Sequence, residues 1–334
     1  MVSAVIFVAT SCVSPLTGFA FWETNLAYEG ESIYNYLQVK NLSDRTILST
    51  NVLFGVQSVT MKDKGLTGMY YDTALAAPAL ADNADSALIL GMGTGTYARQ
   101  LKQYYPKMNI TGVEIDQKIT DLAGEYFDEP ADIPVTTYDG RAWLAASHDK
   151  YDVIMVDAYQ DITIPFQMSS TEFFTMVREH LNPGGVMVVN MNMISDGQGS
   201  INEALSDTIA SVFGNGNTLT ADVPNTTNRE LFAKKPGSGS EENSMQQASK
   251  ALNLRETTYE RTGSEDLEWN MEEVASRFRK VNEPDSASTI LTDDKAPVEV
   301  LGMHAIDQII ADEAGPYRQI LKDEGFGGLL RAVQ

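Results

Sequence analysis

Between Ser86 and Asn192 the chain alternates short apolar runs with amphipathic stretches, and this alternation predicts the core of the fold. ALILG, NITGVEI, VTTYD, YDVIMVDAY and GVMVVNMN read as strands, and TYARQLKQYY, KITDLAGEYF, RAWLAAS and TEFFTMVREHL as the helices between them. Nearly continuous apolar strands separated by helices with one apolar face indicate a parallel sheet covered on both sides. A further helix, INEALSDTIASVF, precedes TLTADV and ELFAKK, which pair as a closing antiparallel hairpin. The expected fold class is α/β, a doubly wound and mostly parallel sheet of seven strands.

Upstream the period shortens. SIYNYLQVK, RTILST and NVLFGVQSV alternate apolar and polar positions from Ser32 to Val59, with Asn-Leu-Ser-Asp as turn material, and predict a small N-terminal antiparallel β-sheet. Downstream, PGSGSEENS has the composition of a linker. The tail beyond it reads as helical and polar, with EEVASRFRK and HAIDQII as its clearest pieces. The expected division is an apolar segment at 1–22, a small β-sheet domain at 23–72, a doubly wound α/β domain at 73–236, and a linker with a helical tail at 237–334.

Residues 1–22 carry no charge, and about twenty apolar residues suffice to span a bilayer. Ser3, Thr10, Ser11, Ser14 and Thr17 dilute the run, Pro15 and Gly18 interrupt it, and no positive segment precedes it as in a signal peptide. Two readings stand: a membrane anchor, or an apolar arm packed on the domain or a partner. The expected location is the cytoplasm, with membrane association through residues 1–22 on its cytoplasmic face.

Lys and Arg number 24 against 46 Asp and Glu, a formal charge of −22. So acidic a surface repels phosphate backbones and argues against nucleic-acid binding, while it suits cationic substrates. Cys12 is the single cysteine, and His148, His180 and His304 form no pair at ligand spacing. No metal site is expected.

In a doubly wound sheet, ligands lie at the carboxyl ends of the strands near the switch in strand order. After the first strand comes Gly91-Met92-Gly93-Thr94-Gly95 and then a helix, where glycines allow close backbone approach and the helix N-terminus offers free N–H groups. After the second comes Glu114-Ile115-Asp116, where a carboxylate can accept from both ribose hydroxyls. Asp116 suits a helix N-cap. After the third comes Asp139-Gly140-Arg141, a place for a carboxylate that accepts from an adenine amine or caps the next helix. After the fourth comes Asp157-Ala158-Tyr159-Gln160-Asp161.

The order GxGxG, VEID, DGR and YDVIMVDAY resembles the AdoMet-dependent transferases, and more narrowly spermidine synthase and its aminopropyltransferase relatives. Gln57-Ser58 followed by Tyr70-Tyr71-Asp72 is similar to that family's Tyr-His-Glu region, YDVIMVDAYQD to its YDVIxxDSSDP, and SSTEFFTMVREHLNPGGVMVVN to its Phe-Tyr…Leu…Gly-Gly stretch. LTDDKAPVE resembles spermidine-synthase-like domains fused to bacterial membrane segments. The resemblance implies an AdoMet-transferase Rossmann-like fold that moves an aminopropyl group from decarboxylated AdoMet to a di- or polyamine and releases methylthioadenosine. It implies Asp157 and Tyr70 as catalytic residues, with Gln57, Gly91, Gly93, Thr94, Gly95, Glu114, Asp139 and Gly140 at the donor. Tyr70, Tyr71, Asp72, Asp157, Gln160 and Asp161 would hold the amine. Three places depart from the family: Thr94 stands where it has Asp in the glycine loop, Gln160 and Asp161 straddle the place of a second Asp, and the PNTTN segment at Pro224 lacks its tyrosine. Methyl or aminocarboxypropyl transfer from intact AdoMet, or a non-catalytic AdoMet- or polyamine-binding domain, are the alternatives. The expected partners are a small amine and a second copy in a homodimer, with no metal and no nucleic acid.

Overall fold

The computed structural model describes residues 23–51, 56–63, 65–158, 164–191, 199–237, 244–286, 288–303 and 322. The apolar stretch at 1–22, Gln160, Asp161, HAIDQII and most of PGSGSEENS lie outside the described residues. Among the described residues no helix is long and apolar enough to cross a membrane.

A four-stranded antiparallel sheet comes first: β1 (Leu26–Glu31), β2 (Tyr36–Asn41), β3 (Arg45–Thr50) and β4 (Ser58–Met61), in that spatial order. β1 is an addition to the expected set. It is an edge strand without a fully buried residue, so it lacks the alternation that marks a half-buried strand. Two short helices follow, α1 (Tyr70–Ala74) and α2 (Ala76–Leu80), every residue of which is buried. Helices covered all round carry no polar face, which is why periodicity does not announce them.

The main sheet is built from β5 (Ser86–Leu90), β6 (Asn109–Glu114), β7 (Val135–Thr137), β8 (Tyr151–Val156), β9 (Leu181–Met191), β10 (Thr218–Asp222), β11 (Arg229–Lys234) and β12 (Phe278–Lys280). Its order is β12-β10-β11-β9-β8-β5-β6-β7. The five strands β5 to β9 run parallel, and β11, β10 and β12 add antiparallel. The expected α/β sheet and its closing hairpin are present, but the strands number eight rather than seven. The extra strand lies inside EEVASRFRK: the helix ends at Arg277, and Phe278–Lys280 pairs with β10 instead. Phe278 packs edge-on against Phe232 at 5.5 Å, a contact that rewards the strand over another helical turn.

Helices α3 (Thr96–Tyr104), α4 (Gln117–Tyr126), α5 (Gly140–Ala146), α6 (Thr171–His180) and α7 (Ile201–Phe213) fall where the apolar stripes placed them. The continuous apolar strands serve two cores. Ala87, Ile89, Val153, Met155, Val186 and Val188 face α1 to α3, while Leu88, Leu90, Ile154, Val156, Met187 and Val189 face α6 and α7. Beyond the linker, α8 (Ser244–Ala248), α9 (Ala251–Thr262) and α10 (Glu265–Arg277) send Met245, Leu254, Leu267, Met271 and Val274 into the first of these cores.

The N-terminal sheet sits on α4. Leu37, Val39 and Leu48 pack with Ile119, Leu122 and Phe127. Asp116 locks the contact: one carboxylate oxygen caps α4 through Lys118 N–H, and the other accepts from Ser32 Oγ at 2.5 Å and Asn35 Nδ2 at 3.1 Å. The sheet is thereby held over the carboxyl ends of the parallel strands.

Candidate active site

β5 pairs with β6 on one side and β8 on the other, so strand order switches between β5 and β8. Gly91 and Asp157 leave the sheet side by side at this point. Gly91 has φ +88°, and a Cβ there would lie 2.1 Å from the Asp157 carbonyl oxygen. Its glycine is required by the neighbouring strand end rather than by a ligand.

Above the switch point is a cavity of about 760 Å³. The main domain supplies its floor through Gly91, Glu114, Tyr138, Asp139, Gly140, Asp157, Met168 and Asn190, and the N-terminal sheet its roof through Tyr34, Asn35, Leu48, Thr50, Gln57 and Ser58. Among the described wall residues, the charged ones are Glu114, Asp139 and Asp157, and none is basic.

At one end, Glu114 is buried, and its two oxygens accept from Gly93 N–H at 2.7 Å and Asp116 N–H at 3.0 Å. Burial raises its pKa, and these N–H groups partly offset the rise. Asp139 does what its position at a helix start suggests, accepting from Ala142 N–H at 2.7 Å to cap α5, while it also lines the cavity. At the other end, Asp157 accepts from Tyr70 Oη at 2.6 Å and from Asn190 Nδ2 at 2.9 Å. Burial pushes the Asp157 carboxyl up, against these two hydrogen bonds, and pushes the Tyr70 phenol well above its ordinary value.

The structure thus brings Gln57, Tyr70, Gly91, Glu114, Asp139, Gly140 and Asp157 to one cavity. Other expected residues stand behind it. Tyr71 donates to the Gln57 carbonyl at 3.0 Å and supports that residue from the core. Asp72 corrects the expectation of an amine ligand: its carboxylate is taken up by Thr67 N–H, Thr67 Oγ1, Gly68 N–H and Gln100 Nε2. In the glycine loop, Gly93 and Gly95 have φ of +56° and +77°, and the turn leaves Thr94 wholly buried and off the cavity wall. Among the described residues the Thr94 hydroxyl has no hydrogen-bond partner. Gln160 and Asp161 lie outside the described residues.

Sequence reasoning missed Asn190, Asn228 and Glu230. Asn228 Nδ2 donates to Asn190 Oδ1 at 2.8 Å, so an asparagine pair fixes Asp157 from the side opposite Tyr70. Asn190 closes the apolar run GVMVVN, and the rule that exposed Asp157 would have found it at the next strand. Asn228 and Glu230 are harder. β11 runs antiparallel to β9, so its start, not its end, lies beside the site: Asn228 reaches the cavity wall, and Glu230 sits off it, opposite Asn190.

Comparison with known proteins bears on the family and the fold. The spermine/spermidine synthase domain model matches residues 70–235, a span that begins at Tyr70 and holds both Asp157 and Glu114. A probable polyamine aminopropyl transferase of Bifidobacterium longum (strain NCC 2705) is 99% identical over the whole chain, which spans 75% of that relative. This chain belongs to the polyamine aminopropyltransferase family. A second family member, from Vibrio vulnificus, is 28% identical over 60% of this chain and 69% of its own length. Among solved structures, a probable spermidine synthase from Corynebacterium glutamicum superposes with a TM-score of 0.56 at 20% identity, covering 79% of this chain and 99% of that one. The Thermotoga maritima spermidine synthase gives 0.52 at 18% identity over 64% and 74%. At such identities these structures speak for the shared fold.

Proposed function

We propose that the cavity transfers an aminopropyl group from decarboxylated AdoMet to a di- or polyamine. The observation that carries this reading is the Asp157–Tyr70 pair at the switch point, in a cavity whose charged wall is acidic. Both reactants are cations: the donor carries a sulfonium and an ammonium, and an alkylamine is mostly protonated at neutral pH. Intact AdoMet adds a carboxylate, for which the described wall supplies no basic side chain. Thr94, the loop residue suited to that carboxylate, is buried away from the wall.

The roles follow from position. Glu114 is oriented by two backbone N–H groups and is suited to accept from the ribose hydroxyls, with Asp139 near the adenine amine. Asp157 receives the acceptor's ammonium and takes a proton from it, which frees the nitrogen lone pair. The Tyr70 hydroxyl donates to Asp157, so its oxygen can accept an N–H of the amine and hold the lone pair toward the donor. That lone pair forms the new bond to the methylene carbon beside sulfur. The carbon–sulfur bond breaks, its electrons go to sulfur, and neutral methylthioadenosine leaves. Most of the gain comes from holding the two reactants in line.

Mass spectrometry after incubation with each donor and a panel of amines tests the assignment. Methylthioadenosine together with an amine lengthened by one aminopropyl unit, from the decarboxylated donor, is expected. Adenosylhomocysteine with a methylated amine, or unchanged amines with every donor, would overturn it.

A further inference from the structure

Glu230 is wholly buried, and among the described residues neither of its carboxyl oxygens has a hydrogen-bond partner. It lies on β11 directly opposite Asn190 of β9, so both side chains leave the same face of the sheet. Asn190 does not satisfy it: its Nδ2 donates to Asp157, its Oδ1 accepts from Asn228, and among the described residues it makes no bond to Glu230. The cation on the same face of β11, Lys234, is committed to the Leu80 carbonyl and Asp82. Arg229 points to the other face and pairs with Asp222 at 2.5 Å. The groups that act electrostatically with Glu230 are Asp157 at the end of β8 and Tyr97 on α3, while α1, which packs on the same strand, brings Tyr70 and Tyr71. All are acids. A buried carboxyl set among acids, with no partner, has no structural return, and such breaks of a local rule concentrate at functional sites.

We propose that Glu230 is a positioning residue for the amine: from behind Asn190 it adds a second negative charge to the Asp157 end of the cavity, and so selects acceptors with two ammonium groups over acceptors with one. The inference rests on reading the cavity as an aminopropyl-transfer site. Glu230 does not reach the cavity wall and acts through its field. With the cavity free of cations, its ionisation is opposed by burial and by Asp157. A second ammonium entering the cavity favours ionisation, so diamine binding releases a proton that monoamine binding does not.

The test is calorimetry of diaminobutane and butylamine, each titrated in two buffers of different ionisation heat into protein saturated with methylthioadenosine. Wild type, Glu230→Gln and Glu230→Asp are compared. Wild type is expected to prefer the diamine and to release more protons on binding it. Glu230→Gln should lose about tenfold of that preference, the scale of one charge acting over several ångströms at intermediate dielectric. Its butylamine and methylthioadenosine affinities should hold, and Glu230→Asp should keep the preference. An undiminished preference in Glu230→Gln, or an equal loss for both amines, would overturn the proposal. A wild type that transfers no aminopropyl group but shows this Glu230-dependent preference would overturn the function and leave the subsite standing. The reverse pair of results would remove the subsite and leave the function.

Discussion

A carboxylate that takes a proton from an ammonium must itself be ionised yet not too weak a base, and burial moves Asp157 in that direction. The same burial has a cost in stability. Asp157, Glu114 and Glu230 are all raised by desolvation, Glu230 well above the ordinary 4.5. Upward from the ordinary carboxylate value, the folded chain therefore holds protons that the unfolded chain has lost, and stability falls as pH rises through that window. Glu230→Leu removes one of these contributions and an unpartnered group that costs about 1–3 kcal/mol. Thermal unfolding across a pH series should show a higher midpoint at neutral pH and a shallower decline than wild type; an unchanged slope would remove Glu230 from the account. Glu114→Gln keeps the shape but loses the charge. Methylthioadenosine affinity should fall by about 1.5–3 kcal/mol for one charge-assisted hydrogen bond, and calorimetry finding equal affinity would place the ribose elsewhere. Most of the site was legible in the sequence because residues following parallel strands share one end of the sheet. Asp72 and Thr94 were misplaced because motif position specifies the backbone, while the local turn decides which way each side chain leaves it.

Elements with one buried face were legible, and elements without one were not. Helices α3 to α7 announce themselves by their stripes, whereas α1 and α2 are buried all round and β1 is mostly half-buried with no fully buried residue. LTDDKAPVE is a case where a motif was visible but its use was not. Asp293 makes a two-pronged pair with Arg141, at 2.7 and 2.6 Å, and accepts from Ser170 Oγ at 2.5 Å. The Leu291 carbonyl accepts from Thr171 N–H, and Leu291 N–H donates to Thr208 Oγ1. The segment thus straps α6 and α7 to Arg141, two residues beyond Asp139. Arg141 and Ser170 hold the Asp293 carboxyl below its ordinary range, so its contribution is present at neutral pH and is lost as pH falls through the carboxylate range. Asp293→Ala should lower stability by no more than about 1 kcal/mol, since the pair is partly exposed, and should speed hydrogen exchange at Leu291 and Thr171. Unchanged exchange there would show that Leu291 and Val298 hold the strap without the pair.

At the scale of the molecule, the cavity is a joint product of two sheets. The switch in strand order gathers Gly91 and Asp157, and the N-terminal sheet closes the space above them through Gln57 and Tyr34. Asp116 couples the two by capping α4 and gripping the turn between β1 and β2. Asp116→Ala should cost about 1 kcal/mol for the cap and should raise the KM for the donor more than it lowers kcat, because the roof loses its anchor while Asp157 and Tyr70 stay in place. A fall confined to kcat would contradict that division of labour. The central claim is that Asp157 takes the proton that frees the attacking nitrogen. It is tested most directly by the turnover of Asp157→Asn with decarboxylated AdoMet and a diamine, measured beside methylthioadenosine affinity in the same variant. The account expects turnover to fall about a hundredfold or more, with nucleoside affinity unchanged. Turnover near that of wild type, in a folded variant that still binds the nucleoside, would contradict it.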